Sequence, residues 1–91
     1  MERAEISQHQ LRVFQFVRDR QCWVTSEAIA HGAQVAPRTA RAHAHQLVTL
    51  GIFDQAEVFP AHRYRLSPHA DKRNKAYLLR LQQAEEIFQL S

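Results

Sequence analysis

The sequence predicts a mainly α-helical domain with one small β-hairpin and a further helix at its C-terminal end. Three observations predict it. Apolar residues recur at helical spacing over about 8–20, 37–50 and 69–90, each stretch opening with residues suited to start a helix. A second, shorter helical pattern lies at about 26–33, and the segment 52–66 alternates instead, with turn residues near its centre.

Ile6-Ser7-Gln8-His9-Gln10-Leu11 opens the first helix. Ser7 is the N-cap, Gln10 is placed to reach back to it, and Ile6 is placed to pack on Leu11. The helix runs to about Arg20, and Leu11, Val13, Phe14, Phe16 and Val17 spread over more than half its circumference, so it must be covered on two sides. Cys22-Trp23-Val24 is a short apolar, β-prone piece in which Cys22, the only cysteine, reads as a small buried hydrophobe. Thr25 or Ser26 then caps the helix at 26–33, whose buried side is Ile29 and Ala30.

The stretch 35–51 organises the rest. Pro37 suits the first helical position, Gly51 suits the left-handed residue beyond the last turn, and Val35 plugs the corner before it. Ala40, Ala44, Leu47 and Leu50 face the core, while Arg38, Arg41, Ala42 and His45 point outward. No Asp or Glu occurs from 28 to 53, so nothing on this segment repels a phosphate backbone.

The alternation at 52–66 reads as a hairpin closed around Phe59-Pro60-Ala61. Pairing Val58 with His62 sets Glu57 opposite Arg63, Ala56 opposite Tyr64 and Gln55 opposite Arg65. Ser67-Pro68 then starts a helix over 69–90, in which Asn74, Tyr77, Leu81, Ala84 and Phe88 form the seam of a packed helix pair. Leu79 and Leu90 lie on its far side, so one side is expected to pack on its own domain and the other on a partner. Lys72, Arg73 and Lys75 stand early and Glu85 and Glu86 late, against the helix dipole. That order suits an antiparallel pair of such helices; the competing reading sends the three cations to the flanks of a DNA site.

Thr25-Ser26-Glu27-Ala28-Ile29-Ala30, Val35-Ala36-Pro37-Arg38-Thr39-Ala40-Arg41 and Leu47-Val48-Thr49-Leu50-Gly51-Ile52 resemble the winged helix-turn-helix regulators of bacteria over roughly 7–67. The small size and the terminal helix are most similar to the ArsR, MarR and PadR-type dimeric repressors. The resemblance implies a winged helix-turn-helix domain at 1–67 and a C-terminal dimerisation helix at 68–91. Helix 37–50 would read the major groove, and the wing 52–66 would lie along the phosphates or the minor groove, giving Arg63, with Arg65 and His62, a backbone-contact role. Pairing with Glu57 is an equally weighted use of Arg63. Two positions depart from the family pattern: Gln34 stands where Gly is usual, and Ala36 where a capping Ser or Thr is usual. A left-handed Gln costs roughly 1–2 kcal/mol and a lost cap about 1 more, so Gly32 is expected to end the second helix early.

On this reading Arg38 and Arg41 contact base edges, His45 and Gln46 are secondary, Ala42 meets a thymine methyl or merely allows close approach, and Ser26 and Thr39 hold phosphates. Tyr77, Leu78, Leu81, Ala84 and Phe88 are the expected dimer interface. With 91 residues, a single domain can bury only about 60–65% of its unfolded surface, so a second copy would help it. The partners expected are therefore double-stranded DNA and a second copy of the chain, with no membrane and no evident small-molecule ligand. A net charge of +3 says little by itself.

No phosphate loop, carboxylate pair or activated nucleophile stands in the sequence, so no enzyme activity and no cofactor are expected. His43 and His45 diverge by about 200° on a helix, which leaves only a metal site assembled across a dimer from His9, His31, His62 or His69, and none is expected. An N-terminus without a basic start or an apolar middle suggests a cytoplasmic, nucleoid-associated protein. The main expectation is a homodimeric repressor. The alternatives are a winged-helix protein–protein interaction module, favoured by the alanines of the 37–50 helix, and a plasmid or phage replication or partition factor.

Overall fold

The computed structural model describes residues 6–58 and 61–90, with the backbone alone at 58, 61, 89 and 90. Ser7 starts helix α1 (Gln8–Arg20), its Oγ accepting from the Gln10 N–H at 3.0 Å. Ile6 is half-buried against the core beside it. The Gln10 side chain does not return to Ser7 as expected; it is buried and bonded to two other helices. Leu11, Val13, Phe14 and Val17 are buried, and α1 is covered by neighbours on more than one side, as so broad an apolar arc requires.

α1 ends at Gln21, whose φ of 55° turns the chain sharply. Only Val24 of the next apolar piece is turned inward. Cys22 is exposed, contrary to expectation, and so is Trp23. Val24 and Thr25 form a strand, β1, and Thr25 caps helix α2 (Ser26–Ala33) by accepting from the Ala28 N–H at 3.1 Å.

α2 does not end early. It runs through Gly32, where an added Cβ would overlap the Phe16 ring, so glycine lets α1 and α2 close together. Gln34 then takes the left-handed conformation itself (φ 59°, ψ 49°), with its N–H and that of Val35 both directed to the Ala30 carbonyl. Half-buried Val35 packs against the core at this corner. Helix α3 (Pro37–Thr49) follows with no side-chain cap at Ala36. Its inner residues Ala40, Ala44 and Leu47 are fully buried, and Gly51 beyond it has the left-handed φ of 86°.

Strands β2 (Phe53–Val58) and β3 (Ala61–Leu66) pair antiparallel, and β1 adds to the other side of β3, giving the order β1-β3-β2. The register is one residue off the sequence expectation: Asp54 pairs with Arg65, Gln55 with Tyr64, Ala56 with Arg63 and Glu57 with His62. Val58 pairs with Ala61, so the expected three-residue turn does not close the hairpin; its remaining positions, 59 and 60, lie outside the described residues. The slip follows from burial. Phe53, Tyr64 and, partly, Leu66 must share the face turned to the helices, which sets Phe53 opposite Leu66 and excludes the other phase.

The last helical stretch is broken. α4 (Ala70–Arg73) and α5 (Lys75–Leu90) meet at Asn74, whose φ of −154° is not helical. Asn74 Oδ1 accepts from the Tyr77 N–H at 3.2 Å and starts α5, while its Nδ2 donates to the Leu50 carbonyl at 3.0 Å. One side chain therefore ties the end of α3 to the start of α5. Leu81 is fully buried in the same core, with Tyr77, Leu78 and Ala84 packed partly against it. Leu79 is exposed at 44% on α5, with Ile87 at 65% and Phe88 at 42%; the Leu90 side chain lies outside the described residues. Among the described residues no helix is long and apolar enough to cross a membrane.

Candidate nucleic-acid interface

Helix α3 presents its outer face with little in front of it. Arg38, Arg41, Ala42, His45 and Gln46 are all exposed, and neither Arg38 nor Arg41 has an ion-pair partner among the described residues. At 100° per residue Ala42 faces directly away from the buried Ala40, Ala44 and Leu47 line, with Arg38 and His45 beside it. Arg41 lies on the sheet side of the helix, and Thr39, His43 and Gln46 lie toward α1. Arg41 is close enough to oppose the effect of burial on Tyr64, whose phenol burial pushes up.

The remaining predicted contacts separate into free and engaged groups. Thr25, not Ser26, is the cap of α2, which leaves the half-buried Ser26 hydroxyl without a partner among the described residues. Thr39 is likewise half-buried in the first turn of α3. Arg63 is exposed, and the register sets it on the opposite face of the hairpin from Glu57, so the two form no ion pair.

Arg65 is not free. Its guanidinium stacks over Trp23 at 4.6 Å from the ring centroid, and Nε lies 3.4 Å from Asp54 Oδ2. Asp54 also takes Arg73 Nη1 at 2.9 Å, so it pins the base of the hairpin to α4. His62 Nδ1 and Gln55 Nε2 are 3.0 Å apart across the strands.

Sequence reasoning missed Gln10 and Asp54. Gln10 stands in line with Val13, Phe14 and Val17, three, four and seven residues on, which places a polar side chain in an apolar stripe. That is the available signal. Tyr77 Oη donates to Gln10 Oε1 at 2.7 Å, and Gln10 Nε2 donates to Gln46 Oε1 at 3.3 Å, which joins α5, α1 and α3. His43 sits beside this chain with Nδ1 buried and without a partner among the described residues, and burial holds its imidazole below the usual histidine range, with Gln46 opposing and His9 reinforcing the shift. Among the described residues no three His, Cys, Asp or Glu side chains come together as a metal site.

Of the expected dimer residues, Leu81 is fully buried within its own chain and Tyr77 is tied to α1 through Gln10. Leu78 and Ala84 are half-buried on the same core, and Phe88 is exposed. The Tyr77, Leu81 and Ala84 part of the three-and-four seam thus packs on its own domain, and Phe88 at its end stays exposed. Glu85 and Arg73, expected to meet the partner or DNA flanks, are held by Arg18 and Asp54 of the same chain.

No family model and no curated protein matches the sequence. Solved structures match the fold. ST1889 of Sulfolobus tokodaii superposes with a TM-score of 0.68 and 20% identity over 90% of this chain and 82% of its own. A MarR-family transcriptional regulator of Silicibacter pomeroyi gives 0.64 and 12% over 91% of this chain and 57% of its own. MepR of Staphylococcus aureus, a transcription regulator of the multidrug efflux pump MepA, gives 0.62 and 18% over 94% and 67%.

This chain has a winged-helix fold. Within the winged helix, α2 and α3 are the helix-turn-helix and β2–β3 is the wing. The chain spans little more than half of the Silicibacter regulator's length, 57%. At these identities the likeness is one of architecture, and the side chains that give the site its chemistry are this chain's own.

Proposed function

We propose that this winged helix is a sequence-specific double-stranded DNA-binding protein, a homodimeric transcriptional repressor of the ArsR/MarR/PadR-like kind, and not an enzyme. The observation that carries the reading is the outer face of α3. Arg38 and Arg41, without ion-pair partners among the described residues, lie to one side of the small Ala42 on a segment with no carboxylate. Such a face can enter a major groove, where Arg38 and Arg41 meet guanine edges and Ala42 admits close approach. Thr39 and Ser26 at the helix starts, and Arg63 on the wing, then meet phosphates. Arg65 acts through the wing's shape rather than by touching DNA.

Residues 1–67 form the reading unit and 68–91 the dimerisation element. The far side of α5, marked by exposed Leu79, is the surface for the second copy, and Leu81 and Tyr77 are removed from that role by their own chain. The two reading helices of the dimer then meet half-sites about one helical turn of DNA apart. The working place of such a protein is the cytoplasm, on the nucleoid.

The test is a mobility-shift titration against the DNA upstream of the protein's own gene at two salt concentrations. A single preferred site with steep salt dependence supports the reading. No shift at low salt, with the folded protein retaining its thermal transition, rejects it in favour of a protein-interaction module.

A further inference from the structure

Among the described residues, Gln46 is the one member of the α3 reading face whose side chain is already hydrogen-bonded to another helix. Gln10 is only 4% exposed, and its carbonyl accepts the hydroxyl proton of Tyr77 at 2.7 Å. That leaves its Nε2 as the group turned toward Gln46, and Gln46 answers with its carbonyl at 3.3 Å. A carboxamide is planar, with its oxygen and nitrogen diverging from one carbon, so turning the oxygen inward sends the NH₂ group away from α1. The hydrogen-bonded chain runs from a phenol on α5 through Gln10 to Gln46.

We infer that Gln46 is presented to DNA as a hydrogen-bond donor, fixed by Gln10 and Tyr77 acting as positioning residues, and so selects a base with an outward acceptor in the major groove. The inference rests on the DNA-reading role of α3. A free glutamine reads adenine by offering both its oxygen and its nitrogen to N6 and N7. With the oxygen engaged, the donor that remains suits guanine N7 and O6 or thymine O4, whereas adenine offers it N7 alone with a competing N6 donor alongside, and cytosine offers no acceptor. The preference at this position is therefore guanine or thymine over adenine or cytosine on the contacted strand. Because Tyr77 belongs to α5, displacement of that helix releases Gln10 to turn over and thereby relaxes base preference without removing any DNA-contacting group.

The experiment is binding-site selection from random duplexes, followed by titration of matched duplexes differing at one base pair. The variants are Gln46→Ala, Gln46→Lys, Gln46→Glu and Tyr77→Phe. One position in each half-site should lose its guanine or thymine preference in Gln46→Ala, keep it in Gln46→Lys, which only donates, and reverse it in Gln46→Glu, which only accepts. Tyr77→Phe keeps the ring packing but removes the proton, and should shrink the discrimination at that position by about fivefold while leaving total affinity for the random pool unchanged. In the free protein, the side-chain amide NMR signals of Gln10 and Gln46 should both shift in Tyr77→Phe.

An adenine preference at the position lost in Gln46→Ala overturns the inference, as does unchanged discrimination in Tyr77→Phe. If the parent binds no duplex at low salt while the amide signals still shift, the DNA-reading role fails and the base preference with it, although the relay stands. If the parent binds DNA and those signals do not move, the relay alone is wrong.

Discussion

Arg18 of α1 and Glu85 of α5 form a two-pronged ion pair, with Nη1 2.6 Å from Oε1 and Nη2 2.8 Å from Oε2. Gln15 Nε2 adds a third donor to the same carboxylate at 3.2 Å, and the Arg18 guanidinium also lies over Phe14. The pair fastens the terminal helix to the first. It also accounts for an acidic residue near the end of α5, where the helix dipole alone disfavours one.

Glu85→Gln or Arg18→Met is expected to destabilise the protein by about 1–3 kcal/mol, the usual range for a charge-assisted pair that is partly buried. The Arg18 side chain keeps Glu85 below the ordinary glutamate range. A depressed folded value means that the unfolded chain binds more protons, so the stabilisation is full above the ordinary range and is lost as pH falls through the folded value. Urea midpoints measured on the parent and on Glu85→Gln should converge in acid.

His43 sets a second, higher window. Its imidazole is disfavoured as a cation by burial, and its Nδ1 has no partner among the described residues. Folding therefore opposes protonation, and stability declines as pH drops through the ordinary histidine range, about 6.5. In His43→Gln the decline that sets in as pH drops through the ordinary histidine range should disappear, while the lower one due to Glu85 remains. Urea midpoints at half-unit steps of pH separate the two.

The corner between α2 and α3 retains two local penalties, a left-handed Gln34 and an uncapped Ala36. Gln34→Gly and Ala36→Ser should each raise stability, by about 0.5–1 and about 1 kcal/mol respectively. Both lie outside the Arg38–Arg41–His45 face, so operator affinity should stay within about twofold of the parent. Thermal melting with a parallel binding titration checks both halves.

Arg38, Arg63 and Arg65 should fail differently. Arg38→Ala should cost about 1–3 kcal/mol of binding and relax sequence preference, whereas Arg63→Ala should weaken all duplexes alike and flatten the salt slope by about one unit. Arg65→Ala removes the contacts with Asp54 and Trp23, so its first effect is on the melting temperature. An Arg38 variant that binds its operator as well as the parent removes α3's outer face from the reading role.

Asn74 joins two helices through one carboxamide, capping α5 and holding the Leu50 carbonyl at the end of α3. Asn74→Ala should cost about 1–2 kcal/mol, and Asn74→Asp, which keeps the cap acceptor but loses the donor, should cost less. Hydrogen exchange should then speed up at the first turn of α5 in the alanine variant.

Short-range chemistry was legible in the chain. Ser7, Pro37 and Gly51 mark helix ends because capping and positive φ act within one turn, and the buried positions of α3 follow from period alone. The outward arginines on α3 follow from the same period. What period cannot supply is the partner. The seam of α5 reads identically whether it packs on its own α1 or on a second copy, and only the tertiary arrangement, with Leu81 fully buried and Glu85 gripped by Arg18, places that part of it on its own chain.

The wing register and the break at Asn74 belong to the same class. Each turns on which distant surface covers Phe53 and Tyr64, or which distant carbonyl Asn74 can reach. Thus the sequence by itself determined α1 with its Ser7 cap, the start of α3 at Pro37 and the charge of the outer face of α3, because those depend on neighbours a few residues away. The tertiary structure decided which arginines are free, which glutamine is oriented and which face of the terminal helix remains outside, because burial and hydrogen bonding are settled only when residues tens of positions apart compete for the same atoms.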